Sequence, residues 1–339
     1  MTDNKIHVVL AVYDPHGTYS RHAGVVMASM FSNTKSQVCV HLLHDESLNE
    51  DNKRKLIELT NKFGQELDLI DVSEHIEKLR ARVNMEKLTG GYSRGSLFRL
   101  FIQDLLPVDR VIYLDCDIVV ELDIKELWDT DLGECKVGAV FDEIVRNVDD
   151  RRGRRVFLYR YAGIDVNKYF NSGVIFFNLK KIRGNMDICA LALEFFQRYP
   201  YTMYPDQDFL NKHFQENMYE IGREFNYFGS GIDYSNTKGK LWHFAGEKPW
   251  NMISSLPIDT LYWRYFATTP WCDDLVTNMA KAWSESRYIH SRSSDCAKKV
   301  WLKLKENFSP RKVTPLYKIA VILYDIIYRI RVKLKRMKT

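Results

Sequence analysis

The 339-residue chain lacks four features that would each indicate a different class of protein. It has no run of about 20 uncharged apolar residues, which excludes an ordinary membrane-spanning helix. Its six cysteines contain no C-x-x-C pair, so neither a disulfide framework nor a zinc site is expected. No internal repeat recurs at a fixed period. The opening residues, MTDNKIHVVLAVYD, have an early acid and a short apolar run, so we expect a first strand instead of a signal peptide. Reduced thiols in a cytoplasmic protein are the expectation.

A net positive charge is also absent from most of the chain. The net charge is +5, but residues 311–339 carry nine Lys/Arg against one acid, Asp325, which leaves residues 1–310 at −3. A nearly neutral core argues against nucleic-acid binding, while the basic tail favours an anionic partner. We predict a catalytic domain over residues 1–309 and a basic tail over 310–339.

Residues 314–336 of this tail have the pattern of an amphipathic helix. Thr314 can cap it, and Pro315 suits the first helical position. Apolar residues recur at three- and four-residue steps along one face, and Lys318, Arg329 and Arg336 lie opposite. The pattern predicts a helix lying on the cytoplasmic face of an anionic membrane. A helix packed on the core or in a dimer is the alternative.

The core alternates between apolar runs and helical patterns, which predicts a Rossmann-like α/β fold with a mostly parallel sheet. A fully apolar strand is typical of a sheet covered on both faces. We predict strands at 6–12, 38–44, 66–70, 110–114, 137–141 and 173–178, and helices at 20–31, 47–63, 92–106, 187–199 and 206–214. Asn49 is the predicted cap of the second helix.

The strongest local motif is Asp115-Cys116-Asp117, directly after the predicted strand 110–114. Ligands of open parallel sheets bind beyond the carboxyl ends of the strands. Two carboxylates one residue apart there can bind one hard cation, which would neutralise the diphosphate of a nucleotide. The alternative is a strand-end turn, where Asp is common.

Five short blocks, in order and with characteristic spacing, resemble the glycosyltransferase family 8 enzymes, such as glycogenin and the bacterial lipopolysaccharide glucosyl- and galactosyltransferases. The resemblance extends from about Ile6 to about Trp250. The blocks are LAVYD at 10–14, S-x-x-RL at 96–100, YLDCD at 113–117, FNSGV at 170–174, and DQD at 206–208 with HF-x-G-x-KPW at 243–250.

The resemblance implies a GT-A nucleotide-sugar-binding fold and a Mn²⁺ site, with Mg²⁺ as the alternative ion. Asp115, Asp117 and His243 would be the ligands, although a lone histidine is more often structural. Gly246 would let the backbone approach a phosphate, and Lys248 would neutralise it. One short segment would thus supply a metal ligand and the phosphate contacts.

The resemblance also implies a donor site. Arg99 would lie near the donor sugar or pyrophosphate, with a solvated helix charge as the alternative. Asp142 would touch a sugar, unless it is a plain strand-end Asp. Ala11 and Cys116, in the matching blocks, are assigned to donor binding too. Tyr13 stands where some relatives have an acid, and it could stack on the base.

Asn171, Asp206 and Gln207 are implied to face the sugar and to be the catalytic residues. Polar side chains of this type hydrogen-bond hydroxyl groups and can distinguish epimers. An amide is a poor nucleophile, so retention of configuration would follow a front-face route through an oxocarbenium-like ion pair. Asp208 is interpreted as capping or structural.

These inferences predict a retaining enzyme that transfers glucose or galactose from a UDP-sugar to a saccharide acceptor in cell-surface glycan synthesis. A lipid-linked glycan is the favoured acceptor. One alternative is a catalytically silent, membrane-associated protein that binds nucleotide sugars. Another is a transferase that acts on a protein acceptor.

Overall fold

The computed structural model describes residues 5–83, 94–146, 159–184, 186–199, 202–229, 232–246, 248–250, 257–274 and 276. The chain divides into two compact units, Met1–Leu275 and Val276–Thr339. Of the second unit only Val276 is described, so the predicted tail at 310–339 and the predicted domain boundary before it lie outside the described residues. No helix in the described ranges is long and apolar enough to cross a membrane.

A seven-stranded sheet forms the centre of the first unit, in the order β3-β2-β1-β4-β7-β6-β8. Six strands run in one direction and β7 runs against its neighbours β4 and β6. The prediction of a mostly parallel sheet is therefore confirmed. The strands are β1 Ile6–Val12, β2 Val38–His44, β3 Glu66–Asp71, β4 Val111–Leu114, β6 Val137–Phe141, β7 Phe170–Phe177 and β8 Met218–Glu220. A smaller antiparallel pair joins β5 Ile118–Val120 to β9 Leu241–His243.

Helices cover both faces of the sheet, and two apolar clusters lie between the layers. Every residue of β1, β2, β4 and β7 is buried, as expected for strands with continuous apolar sequences. The α-helices are Ser20–Asn33, Glu50–Lys62, Ser73–Arg80, Ile102–Leu105, Ile124–Trp128, Glu143–Arg146, Leu179–Arg183, Ile188–Arg198, Pro205–Phe214 and Pro257–Phe266. The 3-10 helices are Arg94–Phe101, Val166–Lys168, Gln215–Asn217 and Arg223–Asn226.

The predicted cap of the second helix is confirmed, and a later helix has a capping residue that was not predicted from the sequence. Asn49 caps the second helix by accepting a hydrogen bond from the Asn52 N–H, at 2.9 Å. Asp187 caps the helix Ile188–Arg198 through the Ala190 N–H, also at 2.9 Å. Such caps satisfy N–H groups that have no partner inside the helix.

The prediction of one helix over 92–106 was wrong in its geometry. The described part is a 3-10 helix, Arg94–Phe101, followed by one α-helical turn, Ile102–Leu105. Within it, Arg99 turns inwards, and its Nε donates to the Ser96 carbonyl at 2.9 Å. The tighter winding fits the polar contacts of a buried arginine, which a pattern of apolar residues does not register.

Candidate functional site

The carboxyl end of β4 leads directly into the predicted metal motif. The Asp115 N–H donates to the Gly173 carbonyl of β7 at 2.8 Å. Three residues later the chain enters β5, where Ile118 pairs with His243 of β9. The Phe244 N–H donates to the Asp117 carbonyl at 2.9 Å, which closes this corner. Strand pairing therefore brings His243 close to Asp115 and Asp117, although it lies more than 120 residues after them in sequence.

The three side chains form a cluster suited to a divalent cation, with one ligand atom from each lying within 4.8 Å of the others. His243 Nε2 lies 3.4 Å from Asp117 Oδ1 and 4.0 Å from Asp115 Oδ2. Its Nδ1 is 2.8 Å from Asn226 Oδ1, so Nδ1 carries the proton and the Nε2 lone pair faces the carboxylates. Such an outer hydrogen bond is the usual support of a metal-binding histidine.

The surroundings of Asp117 test whether the cluster fits a divalent cation. Its Oδ1 is buried and has no hydrogen-bond partner among the described residues. A buried carboxylate oxygen without a partner is costly unless a cation binds it. The other oxygen, Oδ2, accepts a hydrogen bond from Lys248 Nζ. Burial raises the pKa of Asp117, but the ammonium group of Lys248 and the adjacent His243 outweigh it and hold that pKa well below its usual range. These residues therefore fit a divalent metal ion.

Arg99 connects Asp115 to the rest of the site. It is buried, and its guanidinium lies 2.7 Å from Asp115 Oδ1, 3.3 Å from Asp206 Oδ2 and 2.5 Å from the Ser172 carbonyl. Burial opposes its charge, yet Asp115 and Asp206 hold the pKa of Arg99 above its ordinary value. Burial and Asp115 raise the pKa of Asp206, against the effect of Arg99. The alternative of a solvated helix charge for Arg99 is thus excluded.

The predicted sugar-facing residues form a second, adjoining cluster. Gln207 Nε2 donates to Asp142 Oδ2 at 3.2 Å, and Asn171 Nδ2 donates to the same oxygen at 3.1 Å. Gln207 Oε1 accepts from the N–H of Ser172 at 2.8 Å and from its hydroxyl at 3.1 Å. Both ends of the Gln207 amide are therefore engaged and its orientation is fixed.

One residue that the sequence did not indicate joins the two clusters. Asn226, in the 3-10 helix Arg223–Asn226, accepts from His243 Nδ1 and donates through Nδ2 to Asn171 Oδ1 at 2.9 Å. A hydrogen-bonded path thus connects His243 to Asp142 through two asparagine side chains. Its only sequence signal is an asparagine in a segment of irregular pattern.

Asp208 points away from this path. Its Oδ2 accepts from the N–H groups of Met203 (2.9 Å) and Tyr204 (3.2 Å), and its Oδ1 accepts from the Tyr169 hydroxyl. Burial raises the pKa of Asp208 to about 7, although these hydrogen bonds oppose the shift. The contacts are those of a structural residue that ties a helix start to β7.

The loop after β1 lies on the other side of the metal motif. The Arg94 guanidinium stacks on the Tyr13 ring, with its Cζ 4.2 Å from the ring centroid. Cys116 is buried, and its Sγ donates to the Ala11 carbonyl at 3.3 Å. This contact fixes the middle residue of the D-x-D motif to the end of β1.

These groups line an open cleft of about 270 Å³. Lys248 is connected to the cleft wall by its hydrogen bond to Asp117. Gly246 is exposed and is not part of the described wall. A concave site lined by a few convergent polar groups is typical of ligand binding. The predicted site residues that line it are Ala11, Tyr13, Arg99, Asp115, Cys116, Asp117, Asp142, Asn171, Asp206, Gln207 and His243.

Comparison with known families agrees with this arrangement. The family model described as Glycosyl transferase family 8 matches residues 11–254, which include the whole cleft wall. The chain belongs to glycosyl transferase family 8. The resemblance inferred from the five sequence blocks is thereby confirmed.

Two curated family 8 relatives define the level of similarity. General stress protein A of Bacillus subtilis (strain 168) is 28% identical over 292 residues, covering 79% of this chain and 96% of the relative. Lipopolysaccharide 1,2-glucosyltransferase of Escherichia coli (strain K12) is 31% identical over 214 residues. That match covers 57% of this chain and 61% of the relative, so the chain spans less than two thirds of that enzyme.

A solved structure supports the fold. The galactosyltransferase LgtC, crystallised with donor and acceptor sugar analogs, matches with a TM-score of 0.64 and 23% identity, covering 78% of this chain and 96% of LgtC. At this identity the match concerns the fold, which is the α/β arrangement of GT-A glycosyltransferases.

Proposed function

We propose that this family 8 protein is a metal-dependent, retaining hexosyltransferase that moves glucose or galactose from a UDP-sugar to a saccharide acceptor. The observation that carries the proposal is the cluster of Asp115, Asp117 and His243 in the wall of a large cleft, with Asp117 Oδ1 buried and unpaired among the described residues. A cluster with two carboxylates and one imidazole has ligands suited to Mn²⁺ or Mg²⁺.

The metal, when bound, would neutralise negative charge on the diphosphate leaving group. The protein would supply the remaining positive charge. Lys248 already contacts Asp117, so a metal ion on that carboxylate would release its ammonium group towards a phosphate. Arg99 holds Asp115 and Asp206 in fixed positions, and such preorganised groups need no rearrangement during the reaction.

Retention of configuration is proposed to follow the front-face route. Gln207 is held by four hydrogen-bond contacts, and its amide is a poor nucleophile. Asp206 pairs with the buried Arg99. We therefore assign Asn171, Asp206 and Gln207 to orienting the donor sugar and stabilising positive charge on its ring.

The acceptor is proposed to be a cell-surface saccharide, with a lipid-linked glycan favoured. The relative from E. coli is named a lipopolysaccharide glucosyltransferase, which supports this class of acceptor. The basic tail, 310–339, would hold the protein peripherally on the cytoplasmic face of the membrane, where such acceptors are made. This proposal rests on the sequence of the tail alone.

A panel of UDP-sugars tests the function directly. Purified protein with Mn²⁺ should hydrolyse one UDP-hexose slowly and transfer it faster to a saccharide acceptor, giving an α-linked product by NMR. Asp117→Asn should lose both activities, whereas Asp129→Asn, an exposed carboxylate paired with Lys125, should keep both. A catalytically silent relative would show Mn²⁺-dependent UDP affinity without turnover, and a β-linked product would disprove retention.

Liposome sedimentation tests the tail separately. The full-length chain should pellet with anionic vesicles at low salt, and a chain ending at residue 310 should not, while hydrolysing UDP-sugar normally. Salt should weaken the binding because exposed charges are screened. A truncated chain that still pellets, or a full-length chain that ignores the vesicles, would remove the membrane proposal and leave the transferase proposal unaffected.

A further inference from the structure

A second group of metal-binding side chain types lies at the end of the sheet away from the cleft. His7, near the start of β1, is in register with Cys39 of β2, and His41 follows two residues later on β2. Because side chains alternate along a strand, all three project from the same face of the sheet. They are 8%, 9% and 6% exposed, so they lie just below the surface.

The nitrogen and sulfur atoms of these residues are already close together. One ligand atom from each lies within 4.8 Å of the others, and His7 Nδ1 is 3.0 Å from His41 Nε2. The other ring nitrogen of His41, Nδ1, lies 3.2 Å from Asp68 Oδ2 on β3. A proton on Nδ1 would bind that carboxylate and leave the Nε2 lone pair facing His7. The contact with Asp68 is the kind of outer support that metal-binding histidines have.

We propose that His7, Cys39 and His41 bind a divalent cation that prefers nitrogen and sulfur ligands, with Zn²⁺ as its representative. A tetrahedral zinc ion holds its ligand atoms roughly 3.5 Å apart, so the two imidazole nitrogens, now 3.0 Å apart, need to separate slightly to admit it. The site differs in kind from the cleft cluster, whose two carboxylates favour harder ions. It does not depend on the proposed transferase function.

Binding changes the protonation of the cluster in a defined way. His7 moves its proton from Nδ1 to Nε2 and ligates through Nδ1, while the Cys39 thiol gives its proton to solvent. Each bound cation therefore releases one proton. The ion would connect β1 to β2, and to β3 through Asp68, so it would stabilise the first half of the sheet.

The sequence contains no signal for such a site, and the lack of a C-x-x-C pair argues against one. The arrangement is Cys39-x-His41 on one strand with His7 supplied by its neighbour. Short motifs reveal metal sites whose ligands share a loop, whereas these ligands are brought together by strand register. A zinc site here would therefore contradict the expectation, based on the lack of a C-x-x-C pair, that the chain has none.

Cobalt spectroscopy on the full chain tests the proposal, with Asp117→Asn as the background so that the cleft cluster is disabled. One equivalent of Co²⁺ should give a thiolate-to-metal charge-transfer band and strong visible bands of tetrahedral geometry, and Zn²⁺ should abolish both. Cys39→Ser should lose the charge-transfer band. Cys135→Ser, a half-buried cysteine elsewhere, should retain it.

A milder variant keeps the test valid if Cys39→Ser does not fold. Asp68 has a side chain 55% exposed, so Asp68→Asn should fold and weaken Co²⁺ binding about 10- to 100-fold. Calorimetry in buffers of different ionisation enthalpy should count one proton released per ion. A parent chain without a thiolate band, or a band that survives Cys39→Ser, would overturn the proposal.

Discussion

Gly173 lies so close to the imidazole of His243 that position 173 has no room for a side chain. A Cβ there would stand 2.2 Å from Cε1 and 2.8 Å from Nδ1 of the ring. The backbone of Gly173 is fixed, because its N–H donates to Asn171 Oδ1 at 2.9 Å and its carbonyl accepts from the Asp115 N–H at 2.8 Å. Any side chain at this position must therefore displace His243.

Gly173→Ala should for this reason weaken Mn²⁺ binding and lower transferase activity by at least about tenfold, without unfolding the protein. The control is Gly184→Ala, because a Cβ at position 184 would meet no described atom within 4 Å and its φ of −72° suits alanine. Calorimetric titration with Mn²⁺ would measure the difference. Equal Mn²⁺ affinity in both variants would show that His243 does not ligate the ion.

Asp117→Asn should have a larger effect than Gly173→Ala. The change keeps the shape of the side chain but removes the charge of a buried carboxylate whose Oδ1 is left for a cation. Loss of such a transition-state interaction costs about 3 kcal/mol, or about 100-fold in kcat. Steady-state kinetics at saturating Mn²⁺ would measure it, with Asp129→Asn as the exposed control. Near-normal turnover would refute the metal assignment.

Lys248→Ala should change metal binding and catalysis in opposite directions. Without UDP, the Lys248 ammonium occupies Asp117 Oδ2 and repels a cation, so its removal should raise Mn²⁺ affinity. With UDP-sugar, the same residue is proposed to meet charge that grows in the transition state, so kcat should fall while acceptor KM changes little. Lys168→Ala, an exposed lysine paired with Glu216, is the matched control. An effect confined to acceptor KM would place Lys248 outside the diphosphate site.

Much of the fold could be predicted because strands buried on both faces are recognisable in the sequence as apolar runs. The strands β1 and β2 have the predicted bounds, and both are apolar runs covered on two faces. The D-x-D motif could be located because it follows such a run. Family 8 membership could be inferred because its five blocks are short segments, each legible without knowledge of tertiary contacts.

The features that could not be predicted from the sequence depend on contacts between distant segments. The antiparallel direction of β7 leaves no trace in its apolar composition, which is that of any buried strand. Asn226 supports His243 and Asn171 across 17 and 55 residues of sequence, and no local pattern distinguishes it from other asparagines. The role of such a residue can be recognised only in the folded structure.

Gln207→Ala should leave measurable activity and an α-linked product. The amide orients Asp142 and Ser172, so its loss should lower kcat through disorder of the sugar site, without removing a covalent step. Mass spectrometry after brief incubation with a UDP-sugar provides the complementary measurement. A glycosyl adduct on Gln207 of the unmodified chain would contradict the front-face route.

Asp208 should make the folded protein less stable as pH rises through the weakly acidic range. Its pKa of about 7 lies above the ordinary value of an aspartate, because burial disfavours the charged form. Between about pH 4 and pH 7 the native state therefore holds a proton that the unfolded chain has lost. The free energy of unfolding must fall with increasing pH in that window, by up to about 4 kcal/mol in total, and this contribution stays constant above it.

Asp208→Asn should remove this part of the pH dependence, since an amide keeps the shape of the protonated carboxyl group and does not titrate. Its oxygen can accept from the Met203 and Tyr204 N–H groups, while its nitrogen can donate to the Tyr169 hydroxyl. Urea unfolding at pH 5 and pH 8 measures the effect, as the free energy of unfolding at pH 5 minus that at pH 8. That difference should be more positive in the parent chain and in Asp129→Asn than in Asp208→Asn. If the three proteins respond equally to pH, Asp208 is already ionised in the weakly acidic range, and the hydrogen bonds from Met203, Tyr204 and Tyr169 outweigh the cost of burying its charge.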